Sequence, residues 1–125
     1  MTRVTTRVLF SGWILIIIAL VVPWRRFTDH THWARIDWTP FIDDPLRIRD
    51  IVVNTLMYLP FGYWHRRSGA PTLRRTLVSA IALSVVTECS QVFSHGRFPT
   101  SADVVCNAAG AVWGYLWAGR GAIGR

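Results

Sequence analysis

Four apolar windows, at about residues 8–24, 50–64, 76–93 and 102–118, are separated by short connections that carry nearly all of the charge. Each window approaches the roughly 20 residues that a bilayer core requires of a helix. A soluble domain of 125 residues, 51% hydrophobic, would interleave its charges more evenly. With flanking turns added, four helices use up most of the chain and leave little for a second domain. The expectation is a single all-α domain over residues 1–125, a membrane-embedded four-helix bundle with the lipid bilayer as its main partner.

The charge pattern supports that expectation. All fourteen cationic side chains are Arg, and the net charge is +7. They sit in pairs at window ends (Arg25-Arg26, Arg66-Arg67, Arg74-Arg75), the placement of membrane flanks, so no nucleic-acid partner is expected. Trp24, Trp64 and Trp117 lie near window ends, where an interfacial aromatic belt would put them. The 65–75 connection and both terminal segments carry Arg without acid, which predicts a multi-pass cell-membrane protein with both termini in the cytoplasm. The five Arg of the 25–49 stretch reduce the contrast. The first window has a basic start, but no small-x-small cleavage site follows it, so it reads as an uncleaved first span. Cys89 and Cys106 both fall inside windows and read as free thiols packed among helices.

Local signals set the element boundaries. Asp44-Pro45 is a helix start, and the second helix is expected to run to Trp64, bent or ended by Pro60 and Gly62. Pro71-Thr72 precedes a third helix over about 72–93. Thr100 or Ser101 caps a fourth, with Asp103 in its first turn. In the long first connection, His30-Thr31-His32 has a spacing that binds metals on strands, but a lone pair in a polar loop reads first as solvated surface. His95, beside Gly96, reads as a loop histidine. No metal and no other cofactor is expected.

The fourth window carries the most information. Ala102, Cys106, Gly110, Gly114 and Ala118 recur every fourth residue, a ridge on which Gly110 and Gly114 invite close helix packing. Asp103 and Asn107 share another face. The same acid-x3-Asn spacing occurs at Asp50 and Asn54, which suggests two helical hairpins related by a rough two-fold axis along the membrane normal. Glu88, the one Glu of the chain, and Gln91 are three apart, and Arg97 follows just outside. At about 1.5 Å per residue, Glu88 lies roughly 8 Å below Phe93 and Asn107 roughly 9 Å below Ser101. Asp50, Asn54, Glu88, Gln91, Arg97, Asp103 and Asn107 are therefore expected at a common level near the outer face. Ionisable groups at such depth mark function by default.

The pattern Asp50-x3-Asn54, Pro60-x-Gly62, Glu88-x2-Gln91, Arg97, Asp103-x3-Asn107-x2-Gly110-x3-Gly114 resembles the VanZ-like family over about residues 45–118. The resemblance implies a small helical integral membrane protein, and the family's named member is linked to low-level resistance to the glycopeptide teicoplanin. Three functional readings stay open at this point. In the first, the outer-leaflet site binds an anionic lipid headgroup, a lipid-linked cell-wall precursor or a glycopeptide, with Arg97 and Arg47 or Arg49 gripping phosphate and the amides binding sugar or peptide, and glycopeptide resistance follows. In the second, Asp50, Glu88 and Asp103 serve a membrane enzyme acting on lipid-linked substrates, although no HExxH, GxSxG or Gly-rich phosphate loop supports it and no catalytic residue can be named. In the third, the chain is a structural or accessory subunit whose polar groups only cross-link helices. Such contacts average under about 1 kcal/mol, a small return for three intramembrane acids, so the first reading is favoured.

Overall fold

The structure, a computed structural model, describes residues 2–39, 47–69, 72–96 and 98–120. Over these residues the chain is all-α. Helices α1 (Arg3–Val21), α2 (Arg47–Gly69), α3 (Leu73–Gln91) and α4 (Ser101–Arg120) are joined by connections with one 3₁₀ turn at Trp33–Arg35. Two isolated bridges, Phe27 with Ser94 and Asp37 with Thr100, tie the first connection to the last. The Asp44-Pro45 helix start lies outside the described residues.

Threonines set three of the helix starts. Thr2 Oγ1 accepts from Thr5 N at 3.2 Å, Thr72 Oγ1 from Arg75 N at 3.2 Å, and Thr100 Oγ1 from Asp103 N at 3.1 Å. Each satisfies one of the N–H groups that a helix start leaves without an intrahelical partner. The end of α2 departs from the sequence reading. Pro60 and Gly62 neither end the helix nor mark its last turn; it continues to Gly69. Pro60 removes the N–H that the Leu56 carbonyl would accept. Tertiary contacts on both sides of it outweigh that loss. Trp13 Nε1 donates to the Met57 carbonyl at 2.8 Å, and Arg66 Nη1 donates to the Tyr115 carbonyl at 3.0 Å.

The largest helix–helix interface is between α2 and α4. The two run in the same direction: Asn54 meets Asp103, Leu59 meets Gly114 and Arg66 meets Tyr115. Glycine makes this approach feasible from both sides. A Cβ added to Gly62 would strike the Ala111 carbonyl, one on Gly110 the Thr55 carbonyl, and one on Gly114 the Leu59 carbonyl. Backbone thus lies against backbone, as small residues permit. Helix α1 packs antiparallel on α2, with Phe10 against Phe61 at a centroid distance of 5.1 Å and Arg7 Nε donating to the Ser68 carbonyl at 3.1 Å. Helix α3 packs antiparallel on α4 through Ser84–Asn107 and Glu88–Thr100. Two hairpins therefore meet through their second helices.

Polarity is distributed inside out. Thr6, Thr76, Ser84, Thr87, Glu88, Gln91 and Asn107 are buried, whereas Val8, Leu15, Leu20, Val52, Leu56, Val78, Val86, Leu116 and Trp117 are exposed. The apolar core is small, formed around Ile17, Tyr58, Phe61, Ala80 and Ala111. Among the described residues one helix, α1, is long and apolar enough to cross a membrane by length and composition. The other three carry more charged and polar residues: α2 has charge at both ends, α3 has Arg74, Arg75, Glu88 and Gln91, and α4 has Asp103, Asn107 and Arg120.

Gly114→Ala should lower stability by about 1–3 kcal/mol, since the new methyl has only backbone to displace. Gly12→Ala on α1, where a Cβ meets nothing within 4 Å, should be neutral or slightly stabilising. Thermal unfolding of the purified variants checks both.

Candidate ligand-binding cavity

A cavity of about 650 Å³ opens at the end of the bundle where α2 and α4 begin and α3 ends. Its polar lining is Asp50 and Asn54 from α2, Glu88 and Gln91 from α3, and Asp103 from α4, with Arg35, Asp37 and Thr100 from the connections. Its apolar lining is Leu20, Val21, Val53, Met57 and Phe98.

The helix geometry explains the convergence. Asp50 and Asn54 lie one turn apart at the start of α2, and Glu88 and Gln91 lie one turn apart at the end of α3. Antiparallel packing of α3 on α4 brings the end of one helix to the start of the other. The Glu88 side chain, 6% exposed, then reaches the α4 start: its Oε2 accepts from Thr100 N at 3.2 Å, and its Oε1 accepts a long 3.4 Å bond from Gln91 Nε2. In a capping box the acid three residues into a helix takes the N–H of the capping residue. Here Glu88 takes that N–H from a neighbouring helix. Asp103, in the position three residues in, turns outward instead, and its Oδ1 accepts from Asn54 Nδ2 at 2.6 Å. The next donor, Ser101 N, goes to the Asp37 carbonyl at 3.0 Å. Asp37 is fixed in its turn by Thr39, whose N and Oγ1 donate to its Oδ1 at 2.9 and 2.8 Å.

Five of the seven residues marked from the sequence, Asp50, Asn54, Glu88, Gln91 and Asp103, line this one cavity. Arg97 lies outside the described residues, as does the side chain of Arg47. Asn107 is elsewhere: it is buried below the cavity, where its Nδ2 donates to Ser84 Oγ at 2.8 Å and links α4 to α3. Gly110 and Gly114 lie on the α2 contact, away from the cavity wall. Three polar lining residues were not among the site residues marked from the sequence. Arg35, Asp37 and Thr100 sit in connections, where no periodicity assigns a face. Arg35 is held with its guanidinium carbon 5.0 Å from the centre of the Phe98 ring. The exposed Asp29 accepts from His30 at 2.8 Å, and that bond holds its carboxyl below the usual carboxylate range.

Glu88→Ala should cost about 1–3 kcal/mol, because the Thr100 N–H loses its acceptor in a part-buried position. Glu88→Gln retains an oxygen there and should cost clearly less. For Asn54→Ala with Asp103→Ala, a double-mutant cycle should give a coupling of about 0.5–3 kcal/mol, read by chemical unfolding.

No curated protein and no solved structure matches the chain. The family model VanZ/LLP1 matches residues 6–120, and the chain belongs to that family.

Proposed function

We propose, taking membership of the VanZ/LLP1 family as the premise, that the chain is an integral membrane protein whose cavity binds the polar head of an amphiphile. The ligand in this reading is a lipid headgroup or a lipid-linked cell-wall precursor. The observation that carries it is the mixed lining of the cavity: carboxylates, amides and a guanidinium together with Leu20, Val21, Val53, Met57 and Phe98. A headgroup with the start of its lipid chain offers partners to both kinds of side chain.

Membrane embedding is part of the proposal, and the inverted polarity supports it. Leu20 is 66% and Val86 67% exposed while Glu88 and Asn107 are buried. In water that arrangement wastes the hydrophobic effect. In lipid it places apolar side chains against acyl chains and gives interior polar groups each other as partners. With both termini in the cytoplasm, the cavity opens in the exterior half of the bilayer.

Size narrows the ligand. About 650 Å³ lies within the usual range for small-molecule sites and suits a sugar phosphate or headgroup, not a whole glycopeptide antibiotic. Arg35 supplies the planar donor fork that fits phosphate, and Asn54 and Gln91 supply amides for hydroxyl and peptide groups. Teicoplanin-type resistance then follows indirectly, through capture of the precursor that the drug targets. The Glu88 and Asp103 carboxylates already accept hydrogen bonds from Thr100, Gln91 and Asn54, and nothing in their placement favours an enzyme.

The protein should stay in the membrane pellet after alkaline carbonate washing. Purified in detergent, it should retain a lipid-linked wall precursor without turning it over. Arg35→Gln should weaken retention by about 10- to 100-fold, the size of a lost charge-assisted phosphate contact, with the melting temperature unchanged. Release by carbonate, or retention that survives both Arg35→Gln and Glu88→Gln, would overturn the reading.

A further inference from the structure

Three of the four histidines of the chain meet on the surface beside the cavity. One ring nitrogen each from His30, His32 and His95 falls within 4.8 Å of the other two. The ring centroids are 4.8 Å apart for His30 and His32, 4.9 Å for His30 and His95, and 4.6 Å for His32 and His95. His30 and His32 come from the first connection and His95 from the last, so residues more than sixty positions apart in the chain build one cluster.

We propose that His30, His32 and His95 form a three-imidazole site for a divalent cation of the zinc class.

Hydrogen bonding fixes the tautomer of two of the rings. His32 Nδ1 lies 3.1 Å from the Val92 carbonyl, and a carbonyl only accepts, so Nδ1 carries the proton. His30 Nδ1 lies 2.8 Å from Asp29 Oδ1, and a carboxylate imposes the same choice. In both rings Nε2 is left as the nitrogen with the lone pair, the form a metal takes. A carbonyl or carboxylate behind an imidazole is the usual outer partner of a metal-bound histidine, because it orients the ring and raises its basicity. Two different residues here carry that partner.

The scaffold is tied before any ion arrives. Thr28 N donates to the Phe93 carbonyl at 2.8 Å, His32 N to the Val92 carbonyl at 2.9 Å, and Phe27 bridges Ser94. Only side-chain adjustment remains. At a zinc–nitrogen distance of about 2.0–2.1 Å, tetrahedral ligands stand roughly 3.3 Å apart, so the nitrogens close by about 1.5 Å or less. The exposed His30 and His95 rings cover that by turning about their side-chain torsions toward the half-buried His32. Imidazole donors select zinc, copper or nickel over magnesium and calcium, which require oxygen. Three imidazoles leave the fourth tetrahedral position for water or an incoming ligand. Bound there, the ion would clamp the first connection onto the last at Gly96, on the cavity wall. The site uses no residue of the proposed headgroup cavity, and its test is independent of that reading.

The test uses the full chain in detergent, without a polyhistidine tag and stripped of metal, titrated with Zn²⁺ against a chromophoric chelator. One equivalent should bind, the melting temperature should rise, and Mg²⁺ at the same concentration should do neither. His95→Gln and His30→Gln each alter an exposed loop side chain, so both should melt like the metal-free wild type and lose the Zn²⁺-induced rise. Asp29→Ala should weaken binding by about 10- to 100-fold, the usual cost of an outer-sphere partner. Absence of saturable Zn²⁺ binding, or binding by His95→Gln equal to that of the wild type, would overturn the site.

Discussion

The start of α4 is held by acceptors from two other parts of the chain and from its own capping residue, and the rest of the structure is arranged around that. Glu88 of α3 takes the Thr100 N–H, the Asp37 carbonyl of the first connection takes the Ser101 N–H, and Thr100 itself takes the Asp103 N–H. Helix starts in water solve this problem with solvent. A helix start with a buried carboxylate behind it has to be supplied by its neighbours, and a charged acceptor makes the stronger bond. Because Glu88 does the capping, the Asp103 carboxylate is released to face Asn54 across the α2–α4 pair. One substitution of roles between two acids thus joins three helices and exposes a carboxylate to the cavity.

The same economy governs the interior. The residues with no exposure are mostly small or hydroxyl-bearing, and the bulky aliphatics point outward. Such an interior gains little from expelling water and relies on close contact and hydrogen bonding. Thr87 shows the consequence locally: its hydroxyl turns back to the Leu83 and Ser84 carbonyls at 3.0 and 2.9 Å and satisfies itself within its own helix. Asn107 uses the other solution and reaches across to Ser84.

What was legible in the sequence follows from which signals are periodic. Helices advertise themselves through spacing, so all four elements could be placed, and so could the Asp50–Asn54, Glu88–Gln91 and Asp103 faces that line the cavity. Asn107 shares its face with Asp103, but spacing gives direction and not depth, and one turn further in the helix meets Ser84 instead of the cavity. Pro60 does not end α2, because a local rule about a missing N–H is overridden by packing on both flanks. Arg35 and Asp37 lie in a connection where only the path of the chain brings them near α4. The histidine cluster was hidden for the same reason: His30-Thr31-His32 and His95 are unremarkable apart, and only the bridges between the two connections place them together.

The glycine contacts between α2 and α4 have a mechanical consequence. With carbonyl oxygens seated where Gly62, Gly110 and Gly114 lack side chains, neither helix can slide or rotate against the other without backbone striking backbone. The pair acts as a keel. Any adaptation to an incoming guest therefore falls to the remaining parts of the lining, α1, α3 and the connection around Trp33–Arg35, and not to the parallel helices that carry Asn54 and Asp103.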